Sequence, residues 1–247
     1  MMFRLQRRLA LAAGSLILSL PGHAVHRIVG HPSPWVRRFL WLAGRSFGLR
    51  TRIAGTPVRD HVLYVANHVS WLDILALGGA TGAAFVSKDD VAGWPVVGWL
   101  AREGGTIFIS RADRAGVKGQ ADALGAALAT GRPAALFPEG TTGNGRELLP
   151  FRASLLASLD RAPPHVVVQP VAIDYGPAAA RLAWTDGEAA GTNARRVLGT
   201  AGSLGVTLRF LDPIDPRLGR KAVAQAAQAA IQAALLESGA LVYSAAP

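Results

Sequence analysis

The sequence predicts an α/β layer sandwich, and two observations carry that prediction. From Asp60 onward, apolar segments of about five to eight residues, rich in β-branched and aromatic side chains, alternate with stretches of helical spacing. In addition, 50% of the 247 residues are hydrophobic, which is enough for one sizeable core. Turn residues end the apolar segments, as expected for largely buried strands.

The alternation assigns each element in order along the chain. The predicted strands are 61–67, 83–88, 105–110, 134–140, 166–173 and 205–211. The predicted helices, which carry Gly at or near their ends, are 70–80, 114–131, 151–162 and 219–239. Because ligands bind beyond the carboxyl ends of strands in open α/β sheets, polar residues directly after a predicted strand are candidate site residues.

The net charge of +10 belongs to the N-terminal segment alone. Residues 1–59 contain ten Arg and no Lys, Asp or Glu, so the other 16 basic residues face all 16 acids. We therefore predict two units, a basic N-terminal segment at 1–59 and an α/β domain at 60–247. A segment of this charge needs an anionic partner, either nucleic acid or a membrane surface.

The neighbours of these arginines favour a membrane. An apolar run at 9–20 is too short for a bilayer core that needs ~20 residues, so we expect it to dip into a membrane rather than cross it. A second helix, predicted from Pro34, groups Arg37, Arg38 and Arg45 on one face and aromatic residues on the other. A cleaved signal peptide, an ordinary solvated helix and a nucleic-acid-binding segment are the alternatives.

Several chemistries lack their residues. The chain has no cysteine, so disulfides, thiolate metal sites and cysteine nucleophiles are excluded. The G-x-S-x-G and H-E-x-x-H motifs are absent, and no metal-ligand cluster is recognisable. We predict no metal and no cofactor.

The stretch "NHVSWLD" places His68 between a predicted strand and a predicted helix, with Asp73 five residues later. Asp73 is close enough to bind one imidazole nitrogen, which would leave the other free to take a proton. The alternative is purely structural, because Ser70 and Asp73 also form an S-x-x-D capping box.

Arg111 follows the strand 105–110, and Arg114 lies at the start of the next predicted helix. A guanidinium fork can bind phosphate or carboxylate, and a helix N-terminus favours anions. An ion pair between Arg111 and Asp113 is the alternative.

Glu139, Gly140 and two threonines follow the strand that begins at residue 134. Glycine lets backbone N–H groups approach a ligand, and hydroxyl groups can hydrogen-bond oxygen-rich groups. A plain glycine-rich turn explains the same residues equally well.

Taken in order, four motifs resemble the four sequence blocks of the glycerolipid acyltransferase family. They are NH-x4-D at 67–73, FISR at 108–111, FPEGT at 137–141 and VVQPVAI at 167–173. The resemblance covers roughly residues 60–180 and is nearest to the bacterial 1-acylglycerol-3-phosphate acyltransferase type. It implies a mixed sheet flanked by helices, preceded by a membrane-docking helical pair. It also implies direct acyl transfer from an acyl-carrier protein or acyl-CoA thioester to a lysolipid hydroxyl, without a covalent enzyme intermediate.

The resemblance implies a role for each matching residue. His68 would be the general base on the acceptor hydroxyl, with Asp73 orienting it. Arg111 would bind the acceptor phosphate, and Lys88 is a further phosphate candidate from its charge and position. The third block shapes the acceptor site, and its matching residues are Glu139, Gly140 and Thr141.

One position departs from the family pattern. Many members carry Arg directly after FPEGT, whereas this chain has Thr142 there and Arg146 four residues later. The expected acceptor is the sn-2 hydroxyl of 1-acylglycerol-3-phosphate, giving phosphatidate. A lyso-ornithine-type lipid and a non-catalytic lipid-binding module are the alternatives. The expected location is the cytoplasmic face of the bacterial inner membrane, with membrane lipids and the acyl thioester as partners, and with no nucleic acid or metal.

Overall fold

The computed structural model describes residues 2–31, 33–109, 124–185 and 187–240. Its strands are β1 (Leu49–Ala54), β2 (Val62–Ala66), β3 (Ala84–Lys88), β4 (Ile107–Ile109), β5 (Ala134–Leu136), β6 (Val167–Asp174) and β7 (Leu204–Phe210). Its helices are α1 (Met2–Ile28), α2 (Pro34–Ser46), α3 (Leu72–Thr81), α4 (Val97–Glu103), α5 (124–129), α6 (Ala179–Leu182), α7 (Ala190–Gly199) and α8 (Arg220–Glu237). The predicted α/β class, a mixed sheet flanked by helices, is confirmed.

The strands form one seven-stranded sheet in the order β1-β7-β6-β2-β5-β3-β4. Strands β6, β2, β5, β3 and β4 run parallel to one another, whereas β7 is antiparallel to β6 and β1 is parallel to β7. The carboxyl ends of β2, β5 and β6 therefore meet at one end of the sheet. The sequence predicted that the polar residues following β2 and β5 would lie there.

Strand β2 is the fourth of the seven strands, and all five of its side chains are buried. Tyr64 packs in the core cluster on the face that carries α3, while Leu63 and Val65 pack in the other cluster with α8. The side chains alternate between the two faces with the period of two that a strand imposes. This burial on both faces fixes the position of the strand end that leads into His68.

Some elements differ from the sequence prediction. Strand β1 lies inside the range 1–59, so the sheet begins before the predicted domain boundary. Its alternating Arg50 and Arg52 are exposed, which is why no apolar pattern marked it as a strand. The predicted helix at 151–162 is a 3₁₀ helix, Ala153–Arg161, and only 124–129 of the predicted helix at 114–131 lies in the described part of the chain.

Helix α1 is longer than the apolar run at 9–20 suggested. Among the described residues it is the helix with the length and composition to cross a membrane. Its buried residues are Arg8, Ser15 and Ser19, whereas its large apolar side chains point outward. The most exposed of these are Met2, Phe3, Leu11, Ile17, Leu18, Val25 and Ile28. The polar side of α1 thus faces the protein, the reverse of a helix in a water-soluble domain.

Helix α2 packs directly on α3, the helix that carries Asp73. A Cβ atom on Gly79 would lie 2.9 Å from the backbone N and Cα of Trp41, so only glycine permits this approach. Helix α2 is therefore in direct contact with the helix that carries Asp73, and α1 packs on α2.

Candidate active site

His68 and Asp73 form the hydrogen-bonded pair that the sequence predicted. The imidazole Nδ1 of His68 lies 2.8 Å from Oδ2 of Asp73, which is fully buried. An ionised carboxylate only accepts hydrogen bonds, so Nδ1 carries the proton and Nε2 presents its lone pair. His68 is partly exposed, with 17% of its side-chain surface accessible, and it lines a crevice that is open to solvent.

Asp73 also closes the turn before α3. Its Oδ2 accepts hydrogen bonds from the backbone N–H groups of Val69 and Ser70, at 2.7 and 2.9 Å. Half of the predicted capping box is therefore present. A full capping box also needs the Ser70 hydroxyl to accept a hydrogen bond from the backbone N–H of Asp73. The Ser70 hydroxyl instead accepts a long 3.4 Å bond from Leu72 N–H. One carboxylate oxygen both closes the turn and orients His68.

Tyr175 completes the site, and the sequence analysis missed it. Its hydroxyl donates a 2.7 Å hydrogen bond to Oδ1 of Asp73, so both carboxylate oxygens are occupied. Burial, together with the nearby Asp73 carboxylate, raises the pKa of Tyr175 well above 10.0, so the hydroxyl keeps its proton. Tyr175 directly follows β6, the position that marked the other candidates, and this was the available signal.

Tyr175→Phe should lower kcat about tenfold and leave the KM for the acyl donor unchanged. The variant leaves Oδ1 of Asp73 without its tyrosine donor, and a hydrogen bond to a charged group contributes about 1.5–3 kcal/mol. Tyr64→Phe is the matched control, because the buried Tyr64 hydroxyl donates to the backbone carbonyl of Val58, outside the site. Steady-state kinetics and thermal melting of both variants distinguish a role in positioning Asp73 from a purely structural role. An equal loss of stability in both, with unchanged kcat, would make Tyr175 merely structural.

Glu139 lies behind His68 rather than at an open binding surface. Its Oε1 accepts a 2.8 Å hydrogen bond from the backbone N–H of His68, and its Oε2 accepts one from Leu149 N–H at 3.3 Å. Burial, with a smaller contribution from the nearby Asp73 carboxylate, raises the pKa of Glu139 to about 8, although the hydrogen bonds from the two backbone N–H groups oppose this. Glu139 therefore joins β5 to the backbone at His68.

The raised pKa of Glu139 predicts a pH-dependent stability. Between its ordinary value of 4.5 and about 8 the folded protein keeps a proton that the unfolded chain releases. The free energy of unfolding should therefore fall as pH rises through this range, by up to about 1.4 kcal/mol per pH unit. Denaturant unfolding of wild type and Glu139→Gln at several pH values checks this. The difference between the two proteins should vary with pH, and a constant difference would contradict the assignment.

Two further side chains position His68. The ring of Phe137 stacks on the imidazole, with centroids 4.0 Å apart and planes 9° apart. Asn67 bridges β2 and β6, because its amide donates to the carbonyl of Ile173 and accepts from Ile173 N–H. These contacts restrict the imidazole and the strand end that carries it.

The loop after β5 is folded against the site. Gly140 has φ +72°, a conformation that favours glycine, and Gly143 N–H donates to the carbonyl of His68 at 2.7 Å. Thr141 is half-buried in the same turn, and the Thr142 hydroxyl donates to the carbonyl of Trp184. Arg146 is exposed, and its guanidinium forms no ion pair with the described residues.

The two other phosphate candidates are placed only in part. Lys88 is the last residue of β3, beside β5, and its side chain lies outside the described part of the structure. Arg111 lies outside the described residues altogether. Their predicted contact with an acceptor phosphate stays a prediction.

A narrow crevice opens beside His68. Among the described residues that line it, the carboxyl groups belong to Glu139, Glu147 and Asp174, and none is Arg or Lys. Asp174 is paired with Arg209 at 3.3 Å, whereas Glu147 is exposed and bonded to the Asn144 amide. Glu139 keeps its proton below about pH 8 and Asp174 is balanced by Arg209, so Glu147 supplies the unpaired negative charge of the described wall.

Comparison with known proteins defines the family. The model of the acyltransferase family matches residues 50–174. The chain is 37% identical over 239 residues to a lyso-ornithine lipid O-acyltransferase of Pseudomonas aeruginosa, covering 92% of this chain and 86% of that protein. It is 33% identical over 252 residues to the protein of the same name in Rhodobacter capsulatus, covering 92% and 90%.

The chain belongs to the glycerolipid acyltransferase family. A 1-acyl-sn-glycerol-3-phosphate acyltransferase of Neisseria gonorrhoeae is 38% identical over 120 residues, which cover 47% of this chain and 46% of that protein. The crystal structure of the 1-acyl-sn-glycerophosphate acyltransferase from Thermotoga maritima has the same fold, with a TM-score of 0.67 and 22% identity over 95% of this chain and 97% of that one. The family resemblance that the four motifs predicted is confirmed.

Proposed function

We propose that this acyltransferase moves a fatty acyl group to the hydroxyl of lyso-ornithine lipid, with His68 as general base. The observation that carries the chemistry is the fully buried Asp73 carboxylate bound to His68 Nδ1, which leaves Nε2 free at the site. The names of the two relatives that match nearly the whole chain support the acceptor.

The transfer needs no group beyond acceptor, thioester and His68. Nε2 removes the proton of the acceptor hydroxyl as its oxygen attacks the thioester carbonyl, forming the new C–O bond. Collapse of the tetrahedral intermediate breaks the C–S bond, and the thiolate takes the proton back from the imidazolium. Asp73 stabilises the imidazolium between these steps, and Tyr175 keeps Asp73 in place. The donor we propose is an acyl-carrier protein or CoA thioester.

Two features of the site support an amine-bearing acceptor. Ornithine carries an ammonium group, which the exposed carboxylate of Glu147 in the crevice wall can bind. Thr142 stands where many family members have Arg, and its neutral hydroxyl donates to the Trp184 carbonyl, so this position offers a phosphate no positive charge. Both features favour ornithine over a phosphate monoester.

Lysophosphatidate is the second candidate acceptor. The names of the Neisseria gonorrhoeae relative and of the Thermotoga maritima structure favour it, as does the exposed Arg146. The phosphatidate reading that the motifs first suggested is therefore kept as the competing proposal.

We also propose that the enzyme works on the surface of a membrane, on the cytoplasmic side. Arg8 joins α1 to the carbonyls of Leu198 and Gly202, and His23 joins it to Glu103 of α4. These anchors are about 22 Å apart along the helix at 1.5 Å per residue. With both fixed to the domain, α1 lies along the protein, and its outward apolar side chains suit the lipid interface.

An acceptor competition tests the proposal. Purified enzyme in mixed lipid–detergent micelles is given equal amounts of lyso-ornithine lipid and lysophosphatidate with one labelled acyl thioester. Ornithine lipid should be the main product by mass spectrometry. Phosphatidate as the main product would show that lysophosphatidate is the preferred acceptor. Binding of both lipids without transfer from any donor would show that the chain is a lipid-binding module.

Thr142→Arg should shift the acceptor preference toward lysophosphatidate by about tenfold. An added guanidinium next to Gly143 offers the phosphate a charge-assisted hydrogen bond, worth about 1.5–3 kcal/mol. Thr142→Gln is the control, because it loses the same hydroxyl and is also long but is neutral. The ratio of kcat/KM for the two acceptors measures the shift. Equal ratios in the two variants would show that position 142 does not read the headgroup charge.

A further inference from the structure

A surface cavity of about 660 Å³ lies where the start of α1 meets the α2–β1 turn and the α7–β7 connection. Within the described part of the chain, no Asp or Glu lines it. The basic lining residues are Arg4, Arg7 and Arg8 of α1, Arg45 of α2 and Arg50 of β1. Neither the motifs nor the acyl-transfer chemistry uses this cavity.

The positive charge of the cavity is not neutralised within the described residues. None of its guanidinium groups forms an ion pair there. Arg8 is only 4% exposed and donates to the carbonyls of Leu198 at 3.0 Å and Gly202 at 2.8 Å. The two carbonyls accept from two of its five N–H groups and leave a buried positive charge beside other cations, which is costly without an anion.

The sheet places this cavity at the same end as His68. Strand β7 begins at Leu204 beside Leu49, the start of β1, and β7 runs antiparallel to β6. The starts of β1 and β7 therefore lie at the sheet end where β6 leads into Tyr175. In the order β1-β7-β6-β2, three strand spacings separate the cavity from the strand that carries His68, about 14 Å at ~4.8 Å each.

Apolar side chains border the arginines. Phe3 and Leu11 line the cavity and are 79% and 52% exposed, and they continue into the outward apolar side of α1. A free phosphate would not contact such a rim, whereas a phospholipid places its phosphate next to apolar carbons. The charge and the rim together fit a lipid.

We propose that the arginine cavity binds the headgroup phosphate of an anionic membrane phospholipid, at a site separate from the acceptor site. A lipid bound there fixes the start of α1 to the membrane and turns the His68 end of the sheet toward the leaflet that contains the lysolipid. The proposal holds for either acceptor, since it concerns a lipid that is not consumed.

The test is sedimentation of the full-length protein with vesicles, using the triple variant Arg4→Gln, Arg7→Gln, Arg50→Gln. Arg8 is kept because it joins α1 to the α7–β7 connection. The matched control replaces Arg38, Arg52 and Arg59 by Gln, which removes the same charge from the same N-terminal segment outside the cavity. Vesicles are pure phosphatidylcholine or phosphatidylcholine with phosphatidylglycerol, at one ionic strength, and melting curves confirm folding.

The cavity variant should bind phosphatidylglycerol vesicles roughly 10- to 100-fold more weakly than wild type, and the control should lose much less. Binding to pure phosphatidylcholine should be the same for all three proteins. Equal losses in both variants would show general charge attraction and overturn the site. Stabilisation of wild type by inorganic phosphate that is lost in the cavity variant, with unchanged vesicle binding, would assign the cavity to free phosphate instead.

Discussion

His68→Ala should reduce acyl transfer by ~10²- to 10⁴-fold while leaving the protein folded. The variant removes the imidazole that we propose takes the acceptor proton, yet it leaves Asp73 hydrogen-bonded to Val69, Ser70 and Tyr175. Initial rates with saturating donor and acceptor, together with melting curves, check both parts of the expectation.

His165→Ala is the matched control for this experiment. His165 is exposed and precedes β6, at the opposite end of the sheet from the site, where it contacts His61 edge-to-face. This variant should retain wild-type activity. Comparable activity of His68→Ala and His165→Ala would show that His68 is not the general base.

Asp73→Asn should lower kcat by a similar ~10²- to 10⁴-fold and also lower thermal stability. The amide oxygen can still accept from backbone N–H groups, and its NH₂ can donate to the Tyr175 oxygen, so the turn before α3 can form. The negative charge that stabilises the His68 imidazolium is lost. The measured kcat reports the loss of the Asp73 charge, and the melting temperature reports the loss of stability.

Asp160→Asn controls for the loss of an acid, since Asp160 is exposed and forms only a 3.4 Å ion pair with Arg220. Asp160→Asn should change neither kcat nor the melting temperature. If Asp73→Asn lowered stability but retained kcat, Asp73 would be a turn residue alone, as the capping-box alternative proposed.

The sequence predicted the central strands and the hydrogen-bonded pair of His68 and Asp73 because both are encoded locally. Strand β2 is apolar on both faces, and β6 is largely apolar with Gln169 and the final Asp174 as its polar residues, so both give a strong signal. His68 and Asp73 are five residues apart, so the turn between strand and helix is sufficient to bring them together. The four ordered motifs then gave the family, which the comparisons confirmed.

The missed features depend on contacts between distant segments. Tyr175 reaches Asp73 across 102 residues, because β6 pairs with β2, and no spacing in the sequence reports that pairing. Strand β1 carries arginines at an exposed edge, so it lacks an apolar pattern. The run at 9–20 showed that α1 is apolar but not that its serines face the protein, which depends on the surface it packs against.

The central claim is direct transfer from the thioester to the lysolipid hydroxyl with His68 as base. The most direct test incubates purified enzyme with a labelled acyl thioester, with and without lyso-ornithine lipid, and follows the label in lipid and in protein. The account predicts that label passes to lipid only when both acceptor and His68 are present, and that none becomes bound to protein. Label attached to the protein in the absence of acceptor, or undiminished transfer by His68→Ala, would contradict it.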